Sequence, residues 1–439
     1  MRKNLNKIVA FAIGVSVISG SIVPAMAADI INTDTIVNTQ TQASTEKKVL
    51  TVDDAVKAAI ANSNSLALLD KEIKFKQNIN SITEKAEDLK DLGDVDEDYN
   101  DSYRKLTMQQ LEQKRDFQKD KLAQSTTDDF NVLVQKQIDV NNQKNTIELK
   151  EKSLEQNKLQ QKLGLMTSIN IDGVNLEIQK LKNTLKSTEA DLENCKYSFK
   201  LATGIDVDNY ILDDSIKYVK FELDSDLDGY IDGAVDDYLS YTQELYELDK
   251  DYWNDDDNSG VVKNTEISDA KDEQDEAYKT MIEKKNAWSN ATDEEKAAAK
   301  EAFDEAQEKY KDSIEEYGKK LSGRITYLTQ KYTLDATESN LLDAKKSCKE
   351  GLRTIYMNMK NLEDSIDLLQ QNIDYTNKNL RIAKINYDLG LSTELTYKNT
   401  VNSVEDLNLQ LRSLINTYNK LKAQLEKPWI ALDRKSTRL

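Results

Sequence analysis

The sequence contains no histidine, which removes the usual general base of enzymes and the commonest transition-metal ligand. It has only two prolines and thirteen glycines in 439 residues, too few to form the many turns between the strands of ordinary globular domains. A glycine-rich phosphate loop and a nucleophile beside a basic partner are also missing. These absences favour long helices and argue against an enzyme.

Long apolar runs are missing beyond the start of the chain. Residues 1–27 combine basic residues, an apolar run over 8–23 and the small-residue end Ala25-Met26-Ala27, which together form the pattern of a secretory signal peptide. We therefore expect an exported protein of the cell envelope or the extracellular space. No later segment approaches the roughly 18 to 20 apolar residues of a membrane-spanning helix. Residues 28–49 are rich in Thr, Asn and Gln and are predicted to be a flexible leader.

Basic residues are also fewer than acidic residues. The formal net charge is −19, and it becomes −22 once the signal peptide with its three basic residues is removed. Nucleic acids and anionic lipid surfaces attract basic patches, so this balance argues against both as partners. Residues 431–439 are basic where the rest is acidic, and we treat them as an anomalous tail.

The two cysteines, Cys195 and Cys348, are too few for a disulfide scaffold. Both occupy apolar positions of the helical patterns described below, so buried thiols are the favoured interpretation. A disulfide between them remains open because export permits oxidation.

The last long helix, predicted from Leu391 to Leu425, carries apolar residues in alternating steps of three and four, which is a coiled-coil seam. Its members are Val404, Leu407, Leu411, Leu414, Tyr418, Leu421 and Leu425. The same pattern occurs 226 residues earlier, at Ile178, Leu181, Leu185, Thr188, Leu192, Cys195 and Phe199. The chain therefore contains two copies of one helical unit.

A Leu-Gly-Leu turn opens each of these helices, at 163–165 and at 389–391. Glycine in the left-handed conformation ends the ascending helix before it, and Thr167 or Ser392 caps the helix that returns. Each copy is thus predicted to be an antiparallel coiled-coil hairpin, and the fold class to be all-α.

The ascending helix of the first copy, predicted to follow an acidic break at 91–101, has a narrow apolar stripe. Leu133, Val140, Ile147 and Leu154 stand seven residues apart, with polar residues in the companion positions. Such a stripe does not close a core alone, so we expect neighbouring chains to cover it.

The first helix of the first copy is predicted to be capped by Thr51 and to run to about Leu89. It recurs in the second copy at an offset of 179 residues rather than 226. The difference of 47 residues predicts a helical insertion in the second copy, at about 255–321, where Glu, Lys and Ala predominate. The expected organisation is repeat one at 50–205, a connector at 206–225 and repeat two at 226–430.

Several of these features occur together in one known family. They are the two repeats, the two Leu-Gly-Leu turns, the opening Leu50-Thr51-Val52-Asp53-Asp54-Ala55-Val56 and the end of repeat one, Leu201-Ala202-Thr203-Gly204-Ile205. Over roughly residues 50–427 the chain resembles the TolC family of exit ducts, the outer-membrane efflux proteins.

The resemblance implies a homotrimer whose helices form a tunnel, and hairpin turns that dock on a membrane-fusion adaptor of an export pump in the inner membrane. By position, the adaptor-docking residues are Leu163, Gly164, Leu165, Leu389, Gly390, Leu391 and Ser392.

Two departures from the family pattern stand out. The places of the family's membrane strands hold only an acidic segment at 91–102 and the charged helical insertion, so we expect a variant without those strands. The tunnel-entrance positions, where the family has aspartates, hold Thr396 and Asn399.

A calcium-loop spacing occurs at the start of the insertion. Asp255, Asp257, Ser259 and Glu266 stand at positions 1, 3, 5 and 12, with glycine at position 6. A structural calcium ion is one interpretation, and an acidic linker that caps the following helix is the other.

The leading hypothesis is an exported, TolC-like exit-duct component without enzymatic activity. The alternative is a secreted coiled-coil protein of the cell envelope that has a structural or interaction role and no transport activity.

Overall fold

The computed structural model describes residues 47–90, 92–165, 168–223 and 226–432. The signal peptide, most of the leader, the predicted cap Thr167 and the tail beyond Leu432 lie outside these ranges. In chain order the described elements are β1 (Lys48–Leu50), α1 (Val52–Asn62), α2 (Asn64–Glu87), α3 (Asp94–Lys162), α4 (Ser168–Thr203), β2 (Tyr210–Leu212), α5 (Leu227–Asn254), α6 (Asn264–Asn290), α7 (Lys296–Asp388), α8 (Glu394–Glu426) and α9 (Trp429–Leu432).

The all-α prediction is confirmed, because helices make up nearly all of the described chain. The exception is a parallel pair of three-residue strands in which Val49 pairs with Ile211. β1 thus begins within the residues that we assigned to the leader. Among the described residues, none of the helices has the length and apolar character needed to cross a membrane.

The beginning of repeat one differs from prediction in two places. Thr51 caps α1 as expected, accepting a hydrogen bond from the Asp54 N–H at 3.2 Å, but the first helix ends at Asn62 and a second begins under a Ser63 cap. The acidic break is also shorter than 91–101, since α3 begins at Asp94. Carboxylates in a first helical turn interact favourably with the helix dipole, so the acidic residues start the helix rather than interrupt it.

α3 and α4 form the first hairpin, and the narrow stripe is covered within the chain. Leu133, Val140, Ile147 and Leu154 are all buried, largely against the α4 seam. Gln143, a polar companion position, donates a hydrogen bond to Thr188 on that seam at 3.1 Å. The expectation that neighbouring chains cover this stripe is therefore wrong, because α4 supplies matching apolar and polar partners.

α7 and α8 form the second hairpin around a larger core, in which Leu352, Met359 and Leu425 are fully buried. Tyr418 lies at its centre. The Tyr418 hydroxyl accepts a hydrogen bond from the Phe221 N–H at 2.6 Å and donates one to Glu363 Oε1 at 2.9 Å. The connector between the repeats is thereby fixed along α8.

The insertion is helical. α6 pairs with the first part of α7, with Tyr278 against Tyr310 and Trp288 stacked on Phe303. The second helical part of the insertion is not a separate helix, because α7 begins within the insertion and continues without interruption for 93 residues into the second hairpin.

The helices of residues 47–432 lie in two rows. At the end away from the turns the helices lie side by side in the order α2, α3, α5, α7. Arg115 of α3 pairs with Asp70 of α2 at 3.0 Å, and Gln113 of α3 donates a hydrogen bond to the Asp237 carbonyl of α5 at 3.5 Å. Lys345 of α7 pairs with Asp236 of α5 at 2.9 Å. Toward the turns the order is α4, α3, α8, α7. α7 therefore lies at one side edge, and α2 and α4 lie at the other.

Both cysteines are free thiols, so the disulfide alternative is not formed. Cys195 packs against the core of the first hairpin and Cys348 is buried in that of the second. Burial raises the pKa of the Cys348 thiol.

Candidate functional site

The two hairpin turns, which we call the tips (163–165 and 389–392), have the same hydrogen-bonding pattern. At the first tip the Leu165 N–H donates to the Gln160 carbonyl at 2.9 Å, and the Gly164 N–H donates to the Gln161 carbonyl at 2.9 Å. At the second tip the Leu391 and Gly390 N–H groups repeat these two bonds at 2.8 and 2.9 Å. This pair of bonds is the Schellman motif, which satisfies the last carbonyls of a helix.

Each tip needs glycine because of its backbone conformation, and not because neighbouring atoms exclude a side chain. Gly164 and Gly390 have φ of 73° and 72°, in the left-handed region, and no atom lies within 4 Å of the place a Cβ would take. Larger residues are strained there because of their own Cβ.

The leucines of the tips are exposed. Leu165 and Leu391 each have 75% of their surface accessible, and Leu163 and Leu389 have about two-thirds accessible. Each tip thus holds two apolar side chains in water on a hydrogen-bonded turn, an arrangement typical of surfaces that bind another protein.

Capping of the returning helix differs from prediction at the second tip. Thr393, not Ser392, is the N-cap of α8, and its hydroxyl accepts a hydrogen bond from the Thr396 N–H at 3.2 Å. The Ser392 N–H instead donates to the Asn386 carbonyl at 3.2 Å, which makes Ser392 part of the turn.

Aromatic rings brace the second tip. Tyr387 of α7 stacks on Tyr397 of α8 with ring centroids 5.5 Å apart, and Lys384 Nζ lies 5.4 Å from each ring. Lys384 also pairs with Asp388 at 2.8 Å. The sequence signal for this brace was two tyrosines flanking the turn, which we did not recognise.

The first tip is braced by apolar packing instead. Leu154 of α3 is buried with Ile171 and Ile178 of α4. Both tips are therefore held by contacts between their two helices, which keeps the exposed leucines in place.

A charge network joins the hairpins beside the tips. Glu148 pairs with Lys152 on α3 at 2.7 Å, and Glu394 pairs with Lys398 on α8 at 2.9 Å. Hydrogen bonding and charge from Lys398, followed by the charge of Lys152, lower the pKa of Glu394. Lys152, Glu394 and Lys398 border a groove over Leu149 and Leu395.

The tunnel-entrance positions lie on α8 close to the second tip. Thr396 and Asn399 are exposed and stand about one helical turn apart, and the Thr396 hydroxyl is 2.9 Å from that of Thr393. These two side chains are neutral hydrogen-bonding groups and carry no carboxylate.

The residues of the predicted calcium loop are hydrogen-bonded to other residues of the chain. Glu266 Oε1 accepts a hydrogen bond from the Lys263 N–H at 2.9 Å, and Glu266 Oε2 lies 2.7 Å from Lys320. Asp255 Oδ1 accepts from the Asp257 N–H at 2.9 Å, while the Ser259 N–H donates to Asp96. Across the described ranges, no three His, Cys, Asp or Glu side chains form a group that could hold a metal ion. The alternative interpretation, in which Glu266 caps α6, fits these contacts.

Comparison with known proteins gives structural matches only. No protein-family profile and no curated protein sequence matches the chain. The chain is similar to the outer-membrane channel OprN, with a TM-score of 0.52 and 10% identity over 86% of this chain and 90% of that one. The chain has a TolC-like fold. Other TolC-like structures that it matches are CusC, with a TM-score of 0.48, 10% identity and coverage of 86% and 91%, and VceC from Vibrio cholerae, with a TM-score of 0.45, 11% identity and coverage of 84% and 95%.

Proposed function

We propose that this chain is an exit-duct component of an efflux or export system in the cell envelope. In this proposal three copies form a helical tunnel, and the tips dock on a membrane-fusion adaptor that leads to an inner pump. The TolC-like fold is consistent with a duct, and the observation that carries docking is the pair of braced tips with exposed leucines.

Binding at the tips has a clear energetic basis. Fully burying a leucine side chain contributes about 1.5–3 kcal/mol, so four leucines that are each 65% exposed or more offer several kcal/mol to a partner with apolar pockets. Because the turns are already hydrogen-bonded and braced, little conformational entropy is lost when they dock.

The tunnel entrance in this proposal is neutral. Thr396 and Asn399 supply hydroxyl and amide groups where carboxylates would otherwise concentrate cations. Any preference for cations then comes from the acidic chain as a whole, whose net charge is −19 with the signal peptide included.

Adaptor binding by tip variants tests the proposal. The probe is a purified membrane-fusion adaptor from the same cells, and the variant is Leu389→Asp with Leu391→Asp. We expect at least a tenfold loss of affinity, while Val219→Asp, at an exposed apolar position in the connector, binds like the wild type. Equal binding by the tip variant and the wild type would reject docking through the tips and favour a structural coiled-coil protein without transport activity.

A further inference from the structure

A groove lies beside β2 on the first hairpin, between the segment 207–214 and the helices α3 and α4. Its volume is about 430 Å³, which is within the range of roughly 300–1,000 Å³ found for small-ligand sites. The α3 residues that line it fall within 133–141, well before the first tip at 163–165. The groove is therefore separate from the tips, and the proposed function does not use it.

The groove combines an apolar surface with two side-chain amides. Leu133 and Leu192 belong to the buried core of the first hairpin, and Ile138 packs against that core. Gln137 and Asn141, about one helical turn apart on α3, also line the groove. Because a side-chain amide both donates and accepts hydrogen bonds, these two residues can bond to the peptide groups of a ligand that covers the apolar surface.

β2 borders the groove as an edge strand, since in the described chain it pairs with β1 alone. The Asp213 N–H donates to the Leu50 carbonyl at 2.9 Å. Successive residues of a strand direct their backbone groups to alternate sides, so Leu212 directs its N–H and C=O away from β1. Tyr210, Ile211 and Leu212 all line the groove, as expected of a strand whose edge borders it. A ligand in the groove can therefore pair with the backbone of Leu212.

Lys47 lies at the end of the groove beside the start of β2. Its Nζ donates to the Asp208 backbone carbonyl at 2.7 Å, and this carbonyl is a neutral acceptor. Lys196, which lines the same end, pairs with Asp208 at 2.9 Å and with Glu193 at 2.8 Å, so its charge is already balanced. An ammonium group has three donors, and Lys47 can therefore also bind a carboxylate of a ligand.

The opposite end of the groove, beyond the end of β2, is acidic. Asp214 lines the groove there, and Arg412 donates a hydrogen bond to its backbone carbonyl. The carboxylates of Asp213 and Asp214 both act on the charge of this one guanidinium. This end thus has one negative charge more than positive, which favours an ammonium group of a ligand.

We propose that the groove binds a short free peptide as an extended strand antiparallel to β2. The carboxylate at the end of the peptide binds Lys47, and the ammonium group at its start lies at Asp214. The peptide backbone pairs with Leu212, which is the mode of binding known as strand addition. Because the groove shares no residue with the tips, this inference does not rest on the proposed function.

The charges and the length of the groove support a free peptide as the occupant. A segment inside a longer chain has no terminal charges to place at Lys47 and Asp214, whereas a free peptide carries opposite charges at its two ends. The three residues of β2 span about 10 Å at roughly 3.3 Å per residue, so a peptide of about three or four residues reaches from one end to the other.

Titration calorimetry of the mature protein tests the role of the terminal charges. The probes are the tetrapeptide Thr-Val-Thr-Val with free ends and the same peptide with an amidated carboxyl end. Amidation should weaken binding to the wild type about tenfold, because a charge-assisted hydrogen bond is lost. Lys47→Met should weaken binding of the free peptide by about the same factor and leave binding of the amidated peptide unchanged. The control is Lys48→Met, at an exposed lysine of β1 outside the groove, which should bind both peptides like the wild type.

Amide hydrogen exchange, followed by mass spectrometry, locates the bound peptide. With the free tetrapeptide at ten times its dissociation constant, exchange at the Leu212 N–H should slow about tenfold. The Val49 N–H, on the other edge of the strand pair, should exchange at an unchanged rate.

Three outcomes would overturn the proposal. The first is no measurable binding of the free tetrapeptide, and the second is binding that leaves exchange at Leu212 unchanged. The third is equal binding of the free and amidated peptides, which would indicate a segment of a longer partner chain as the occupant.

Discussion

Gly164 and Gly390 lie 226 residues apart and adopt the same left-handed backbone conformation, with φ of 73° and 72°. Each ends a helix of more than sixty residues with the same two hydrogen bonds, and each is followed by an exposed leucine. The duplicated turn is therefore a local structure that the sequence repeats in full, on two hairpins that differ in length and in bracing.

Alanine at either tip glycine should destabilise its hairpin by about 1 kcal/mol through backbone strain alone, because no atom crowds the new Cβ. Gly390→Asn should cost less, since asparagine tolerates the left-handed region. The measurement is urea unfolding followed by circular dichroism. Gly173→Ala, in open space within α4, is the control and should stabilise the protein by about 0.5–1 kcal/mol. A tip alanine that stabilises the protein equally would show that the left-handed turn is not populated.

Tyr418→Phe should destabilise the protein by about 1–3 kcal/mol, because the Phe221 N–H and the buried Glu363 carboxylate both lose a partner. Denaturant unfolding measures the loss. Tyr278→Phe removes a hydroxyl from an exposed ring and should change the unfolding free energy by less than about 0.5 kcal/mol. If the two variants behave alike, the connector is not held through Tyr418.

Asp249 should contribute to the pH dependence of stability with a sign opposite to that of a salt-bridged aspartate. Burial raises the pKa of Asp249, although the hydrogen bond from Tyr99 at 2.8 Å acts in the other direction. The folded state then binds the proton more tightly than the unfolded state, whose aspartate pKa is about 3.9. Above the folded pKa, the buried ionised carboxylate destabilises the folded state by its full amount. This destabilisation disappears as the pH falls through the folded pKa toward the unfolded pKa.

The stability of Asp249→Asn relative to the wild type should therefore be greater at pH 7 than at pH 4. Unfolding in urea at both pH values measures this difference. Asp70→Asn, at an exposed carboxylate of α2, is the comparison variant. A relative stability of Asp249→Asn that falls between pH 4 and pH 7 would contradict the assigned direction.

Calcium at millimolar concentration should leave the thermal midpoint unchanged, because Glu266 already caps α6 and pairs with Lys320. Thermal unfolding with calcium and with a chelator checks this. A rise of several degrees with calcium would restore the calcium-loop interpretation of Asp255 to Glu266.

Periodicity predicted the hairpins because every seam position, from Val404 to Leu425 and from Ile178 to Phe199, is buried or half-buried within the chain. It did not predict the break at Ser63 or the strand pair of Val49 with Ile211, since both depend on contacts between segments far apart in sequence. The tips could be predicted from their glycines, because a left-handed turn that ends a helix is a local structure and favours glycine. The Tyr387–Tyr397 stack and the link from Lys152 to Glu394 were missed because two helices must be placed side by side before they exist.

The partner that covers the stripe from Leu133 to Leu154 could not be predicted from the pattern of its own helix. We expected neighbouring chains to cover it, yet α4 buries it, and the surfaces left uncovered are the outward sides of α2, α4 and α7. A narrow apolar stripe in the sequence does not reveal which side of a helix its own chain will cover.

The proposed hollow assembly of three copies is tested most directly by the solution mass of the mature protein together with negative-stain images of the same sample. We expect three copies per particle and a ring in end views. A stable monomer at micromolar concentration, with no ring in end views, would contradict it.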